Sequence, residues 1–297
     1  MMNKVVIFGV GLIGGSFARA LKHAGAVNTV VGMGRSQASL VRALELGIID
    51  QIGGDMAQAL NGADLVLLAA PVAQTGAILA LLAPHLQAAT VVTDAGSTKS
   101  DVVAAARVAL KDKVAQFVPG HPIAGRETNG PDAAIVDLYQ GKKVVLTPLA
   151  ENTAADVETV AGAWRACGAV LHALSPEEHD RVFAAVSHLP HLLAFALVDD
   201  IANKPHAGLL FQYAASGFRD FTRIAGSSPE MWRDISLANQ PALLAELDAY
   251  LAQLSTLRAH LAAHDGRAIE AVYANAQQAR QQWIEAIETA EPPAPKS

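Results

Sequence analysis

Ten histidines occur in this 297-residue chain, and one of them, His121, is set between Gly120 and Pro122 in "VPGHPIAGRE" (118–127). Glycine and proline at such positions specify the backbone, so the imidazole is held at a chosen place. An imidazole titrates near neutrality and suits acid–base work on a hydroxyl. A loop histidine taken alone is more often a capping or surface group. Ser97, in "DAGSTK" (94–99), is a second candidate. A third feature binds rather than reacts. "GVGLIGGS" spaces Gly9, Gly11 and Gly14 as G-x-G-x-x-G, with Leu12 and Ile13 in the same loop, directly after "KVVIF". Gly9 permits a tight turn, Gly11 lets a pyrophosphate approach the backbone, and Gly14 allows close helix–strand packing. The phosphates of a dinucleotide would sit at the N-terminus of the helix that follows.

An acid at the end of the second strand would hydrogen-bond the unmodified adenosine ribose of NAD. No Asp or Glu occurs from residue 1 through Arg42, and the expected place reads Gly34, Arg35, Ser36. An arginine beside a hydroxyl suits a 2′-phosphate, which makes NADP the first expectation and NAD the second. The competing reading has Ser36 merely capping a helix and Arg35 as a solvated charge.

Such groups need a scaffold. The strand candidates are "KVVIF" (4–8), "TVVG" (29–32), "DLVLLAA" (64–70), "TVVTD" (90–94), "AQFVP" (115–119), "KVVLTP" (143–148) and "AVLHAL" (169–174). These continuous apolar runs suit strands covered on both faces. Helical patterns over 14–24, 36–46, 72–82 and 100–110 alternate with them. The alternation predicts an α/β fold with a doubly wound, Rossmann-type sheet. Gly9, Pro71, the "DAGSTK" loop and His121 each follow the C-terminal end of a predicted strand, the edge where open α/β sheets bind ligands. That shared edge lifts His121 and Ser97 above the other candidates, and Pro71 joins the cofactor loop.

From Pro176 no convincing strand appears. "SPEEHD" and "SSPEMW" are helix starts with Ser as N-cap and Pro at the first helical position. Leu247, Leu251, Leu254, Leu257 and Leu261 line one face of a long helix, and Gly266 separates it from another. The expected organisation is a dinucleotide-binding domain over 1–173, an all-α substrate-binding and dimerisation domain over 174–290, and a disordered tail over 291–297. Pro190, between His188 and His191, should kink its helix.

Composition narrows the class. Hydrophobic residues make up 52% and charged residues 17%, with a net charge of −6. The chain can bury a core, and it has no basic stripe for nucleic acid. One cysteine excludes a disulfide framework, and no spacing suggests a metal site. "MMNKVVIFGVG" lacks the form of a signal peptide, and no apolar run is expected to span a membrane. A cytoplasmic homodimer acting on a small molecule is the expectation.

"GVGLIGGS", "AAPV", "TDAGSTK", "GHPIAGRE", "SPEEHD", "SHLPH" and "GFRDFTRIAGSSPEMW" occur in this order. In this the chain resembles the prephenate/arogenate dehydrogenases of tyrosine biosynthesis over about residues 4–290. The resemblance implies oxidative decarboxylation of prephenate and/or arogenate to 4-hydroxyphenylpyruvate and/or tyrosine, with hydride transfer to a nicotinamide. It makes His121 the base on the ring 4-hydroxyl, with Ser97 contacting that hydroxyl and the cofactor and orienting His121. It makes Arg223 the ligand of a substrate carboxylate, brings His191 to the substrate side chain, and places Glu127 at the pocket mouth. His188 divides between a substrate role and a buried packing role, while Arg219 and Arg233 are as readily surface charges. "GRE" stands where "GTE" is commoner, which leaves the part of Arg126 open.

Two alternatives remain at this point. A β-hydroxyacid dehydrogenase would need a catalytic lysine in the helical half, where Lys204 is the one lysine between 144 and 290. A non-catalytic NADP-binding redox sensor would not need His121, Ser97 and Arg223 together.

Overall fold

The computed structural model describes residues 1–126 and 128–290. The chain forms two compact units, Met1–Leu243 and one that begins at Leu244.

Six strands of the first unit make a parallel sheet: β1 (Met2–Phe8), β2 (Val27–Met33), β3 (Gln51–Ile52), β4 (Leu65–Leu68), β5 (Val91–Asp94) and β6 (Phe117–Val118). Their order is β3-β2-β1-β4-β5-β6, and every pairing is parallel. This is the dinucleotide-binding order, with the crevice where the order reverses between β1 and β4. Helices α1 (Leu12–His23), α2 (Gln37–Glu45), α3 (Met56–Leu60), α4 (Thr75–Leu82) and α5 (Ser100–Leu110) connect the strands.

The apolar runs are continuous because both faces are covered. Val5 and Ile7 of β1 pack into one core with Phe17, Leu21, Ile48 and Trp164. Val6 and Phe8 face the opposite core with Leu60, Leu79 and Phe117. Each fully buried aliphatic side chain contributes about 1.5–3 kcal/mol. The strands therefore form a rigid platform whose carboxyl ends carry the site.

The sheet ends two apolar runs earlier than the sequence suggests. The runs at 143–148 and 169–174 do not extend it. They form a second sheet in the order β7 (Gly120–Pro122), β8 (Lys143–Leu146), β9 (Val170–Ala173). β7 is antiparallel to β8, with His121 opposite Val145. β8 and β9 are parallel, joined through α6 (Ala154–Ala166). His121 therefore sits on a short strand and not in a loop.

The helical segment begins as expected. α7 (Pro176–Phe183) opens with a capping box between Ser175 and Glu178. A single π turn, Ala184–His188, then leads into α8 (Leu189–Ala202). Pro190 has no N–H to give and its ring crowds the carbonyl four residues back. The wider turn just before it accommodates both effects, so the helix continues. Three shorter helices follow, α9 (Ala207–Gln212), α10 (Ser216–Thr222) and α11 (Pro229–Ala238).

One expectation needs correction here. The stretch Pro176–Ala202 is a helix long and apolar enough to cross a membrane by length and composition. It carries His179, Asp180 and His188 buried in the protein interior, while most of its apolar window is not buried.

The second unit continues α12 (Gln240–Ala262) and adds α13 (Gly266–Ala290). Leu251, Leu254, Leu261, Tyr273 and Trp283 are exposed on these helices. Glu127 and the tail 291–297 lie outside the described residues.

Candidate active site

The nucleotide end is built from backbone. Gly9 has φ +93°, and a Cβ there would lie 2.5 Å from the Ala69 carbonyl oxygen. At Gly14 a Cβ would lie 2.2 Å from the Gly9 oxygen. Gly11 differs: its nearest neighbour would be the Gly130 nitrogen at 4.0 Å, so the space in front of it is open. Gly11 is also the N-cap of α1, with no side-chain cap and no acid in the first turn. The first-turn N–H groups of Leu12, Ile13 and Gly14 are thus left for an anion. A cleft of about 990 Å³ lies here, lined among others by Gly9, Gly11, Gly34, Arg35, Ser36 and Pro71. An uncapped helix start beside a side-chain-free cradle fits a dinucleotide pyrophosphate.

At the far end of the cleft Ser36 does cap α2, accepting from the Ser39 N–H at 3.2 Å. Its capping role and its place on the cleft are compatible, since the Ser39 hydroxyl also lies 3.0 Å from it. Arg35 is exposed, with no ion pair or hydrogen bond among the described residues.

The acid–base end is built from buried side chains. His121 Nδ1 lies 2.8 Å from His179 Nε2, and His179 Nδ1 lies 2.9 Å from Asp180 Oδ1. Asp180 also accepts from the Lys99 and Ser100 backbone N–H groups, each at 2.8 Å, at the start of α5. Burial works to raise this carboxyl, but the bonds from His179, Ser100 and Lys99 hold it at about 2. Burial pushes His121 well below an imidazole's ordinary value, helped by His179, Lys99 and His188 nearby. Phe183 covers the ring edge-on at 4.9 Å. The imidazole rests neutral, the form a base needs.

The loop beneath is clamped just as firmly. Buried Lys99 pairs with Asp94 and donates to the Gly120 carbonyl at 2.9 Å. Asp94 in turn accepts from the N–H groups of Gly120 and Gly96 at 3.0 and 2.8 Å. "DAGSTK" and "GHP" are therefore one rigid piece. Ser97 is half-buried within it, and its hydroxyl makes no hydrogen bond to His121. His179, and not Ser97, holds the His121 ring.

His188 is 1% exposed and takes a hydrogen bond from Asn239 Nδ2 at 3.0 Å. Burial lowers its pKa to about 4, opposed by the Ser97 backbone carbonyl nearby. Asn239 also donates to the Asp180 carbonyl at 2.8 Å, tying the end of α11 to α7. These contacts are those of a packing residue beside Ser97.

His191 stacks on Trp232, with ring centroids 3.5 Å apart, and donates from Nδ1 to the Ser187 carbonyl at 2.8 Å. Burial lowers its pKa, opposed by the Ser187 bond and aided by the positive charge of Arg223. Arg223 and His191 are therefore close neighbours. Arg219 and Arg233 are exposed beside Asp220 and Asp234, at 3.8 and 2.6 Å. Lys204 is exposed and pairs with Asp200, away from this cluster. That removes the lysine an alternative dehydrogenase chemistry would need.

Sequence reading passed over four contributors: His179, Asp180, Asn239 and Trp232. "SPEEHD" and "SSPEMW" mark helix starts and belong to the family pattern, but neither gives these four residues a role. The one available signal was polarity at positions where the helix turns inward.

Known proteins resemble this chain over almost its whole length. A model of the prephenate dehydrogenase nucleotide-binding domain matches residues 17–173, and one of the prephenate dehydrogenase dimerization domain matches 175–275. The cyclohexadienyl dehydrogenase of Zymomonas mobilis is 38% identical over 282 residues, covering 94% of this chain and 96% of that protein. The prephenate dehydrogenase of Aquifex aeolicus in complex with hydroxyphenyl propionate and NAD+ superposes with a TM-score of 0.89 at 36% identity, over 95% of this chain and 98% of that one. The Synechocystis arogenate dehydrogenase gives 0.80 at 28% identity, over 94% and 99%.

Proposed function

Because the chain belongs to the prephenate dehydrogenase family, an NAD(P)-dependent group of oxidoreductases, we propose that it oxidatively decarboxylates prephenate and/or arogenate in tyrosine biosynthesis. The observation that carries this reading is the His121 imidazole, fixed by His179 at the carboxyl edge of the parallel sheet, with His188 near it, His191 near His188 and Arg223 near His191. A bound nicotinamide supplies the hydride acceptor.

The chain's own residues do the rest. His121 takes the proton of the ring 4-hydroxyl as a general base, and Ser97 offers its hydroxyl to the same group. Arg223 pairs with a substrate carboxylate, and His191, kept flat by Trp232, meets the substrate side chain. Loss of carbon dioxide makes the ring aromatic, so positioning matters more than base strength.

NADP is the proposed first cofactor and NAD the second. A Cβ on Gly34 would meet only the Leu40 side chain, at 3.8 Å, so the place usually filled by an acid is open. Arg35, without a partner among the described residues, is available to a 2′-phosphate, a bond worth about 1.5–3 kcal/mol, or roughly ten- to a hundredfold in affinity. The division into 1–173 for nucleotide and 174–290 for substrate and dimerisation is part of this proposal, and the matches over 17–173 and 175–275 support it. The exposed leucines and aromatics of α12 and α13 supply an apolar face for a homodimer. One buried, unpaired Cys167 suits the reducing cytoplasm.

The test is reduced-cofactor absorbance with each substrate and each cofactor. Turnover with prephenate or arogenate and higher kcat/KM for NADP are expected. Arg35→Ala should weaken NADP without weakening NAD comparably, and Gly34→Asp should shift preference to NAD. No turnover with either substrate refutes the activity, and equal or better use of NAD refutes the phosphate site.

A further inference from the structure

The order of hydrogen bonds behind His121 determines which of its nitrogens carries the proton. Asp180 is anchored by two backbone N–H groups at the start of α5, both at 2.8 Å, and a carboxylate so placed can only accept. His179 Nδ1, 2.9 Å away, must then be the donor to it. A neutral ring has one N–H, so His179 Nε2 presents a lone pair. The atom 2.8 Å from that lone pair is His121 Nδ1, which must be the N–H of its own ring. Nε2 of His121 is left as the open lone pair.

We propose that His179 is a positioning residue that, anchored by Asp180, locks His121 in the Nδ1–H tautomer and so reserves Nε2 as the base for the substrate hydroxyl. The inference rests on the proposed activity only for the identity of that hydroxyl. The opposite arrangement would have His179 donate from both nitrogens and thus carry a charge. His179 is fully buried, which opposes that charge more than Asp180 supports it. Phe183 packs on both imidazoles, with centroids 4.9 Å from His121 and 4.5 Å from His179, so neither ring is free to turn. When His121 gains a proton at Nε2, its Nδ1–H still points at the His179 lone pair, with the Asp180 carboxylate behind. The new positive charge is met by groups already aligned, which costs no reorganisation.

The tautomer is read on the resting, full-length wild-type protein by ¹⁵N NMR of labelled imidazoles, with His121→Asn identifying the His121 signals. The expected result is an Nδ1–H, Nε2-unprotonated ring. In His179→Asn the Nδ1–H signature should be lost and kcat should fall on the order of a hundredfold or more, the scale for a misdirected base. KM and cofactor Kd should move only a few-fold. His179→Gln should recover part of kcat, because its amide oxygen can accept from Nδ1–H. An Nε2–H ring in the wild type, or a His179→Asn enzyme with wild-type kcat, overturns the proposal. The NMR result needs no substrate, so an enzyme inert to prephenate and arogenate would refute the proposed function and leave this assignment standing.

Discussion

The nucleotide cleft and the acid–base pocket share one sheet edge and are built on opposite plans. The cleft is made by the absence of side chains: Gly9 and Gly14 where a Cβ would strike backbone oxygens, Gly11 where space is kept, and a helix start left uncapped. The pocket is made by hydrogen-bonded side chains, from His121 through His179 to Asp180, and from Asn239 to His188. A backbone cradle recognises phosphate by shape and dipole. A buried imidazole network specifies which atom carries a proton. The first plan should fail by steric intrusion and the second by mispairing.

The largest separation of the two should come from His121→Asn. Turnover should drop roughly a hundredfold or more, the usual loss for a positioned base, while cofactor Kd, measured by fluorescence titration, stays near wild type. Near-normal turnover would place the chemistry elsewhere.

Arg223→Ala comes next. Losing a charge-assisted pair to a carboxylate costs about 1.5–3 kcal/mol, or roughly ten- to a hundredfold in substrate KM. Cofactor KM should hardly change. A loss of thermal stability without a KM effect would make Arg223 a structural residue.

Two glycines sharpen the cleft side. Gly11→Ala has room for its methyl group and should keep wild-type Tm while weakening cofactor binding about tenfold. Gly14→Ala drives a Cβ against the Gly9 carbonyl and should lower stability by roughly 1–3 kcal/mol. Thermal melts with and without cofactor distinguish them. Equal behaviour of the two variants would contradict the assigned roles.

A separate effect is on stability against pH. His188 is held at about 4, below the ordinary 6.5, so the unfolded chain binds more protons in between. Its contribution, roughly 3 kcal/mol when complete, is present above pH 6.5 and lost as pH falls toward 4. Burial shifts His121 and His179 in the same direction. Melts between pH 7 and 4 should show falling Tm, and His188→Gln should flatten the decline. A Tm that rises toward pH 4 would contradict the neutral, buried assignment.

The two plans also explain what could be read in advance. Glycine spacing and continuous Val/Ile/Leu strands are local, so β1, β2, β4, β5 and the cradle were legible in the sequence. β7 was not, because Gly-His-Pro has little strand character; Asp94 and Lys99 hold it through Gly120. The apolar runs of β8 and β9 identified strands but carried no information on which sheet they join. His121 was legible by its restricted backbone, whereas His179 lies 58 residues away and its motif already had a sufficient explanation as a helix start. Long-range pairing of buried polar groups leaves no period in a sequence.

The proposed base is a neutral His121, kept neutral by burial and aligned by His179 and Asp180. The decisive measurement is kcat/KM against pH for the wild type and His121→Asn. The expected wild-type profile is flat through neutrality and falls only below the ordinary imidazole value, with that limb missing from the residual activity of His121→Asn. A wild-type limb at or above the ordinary value, or the same limb retained in His121→Asn, would contradict it.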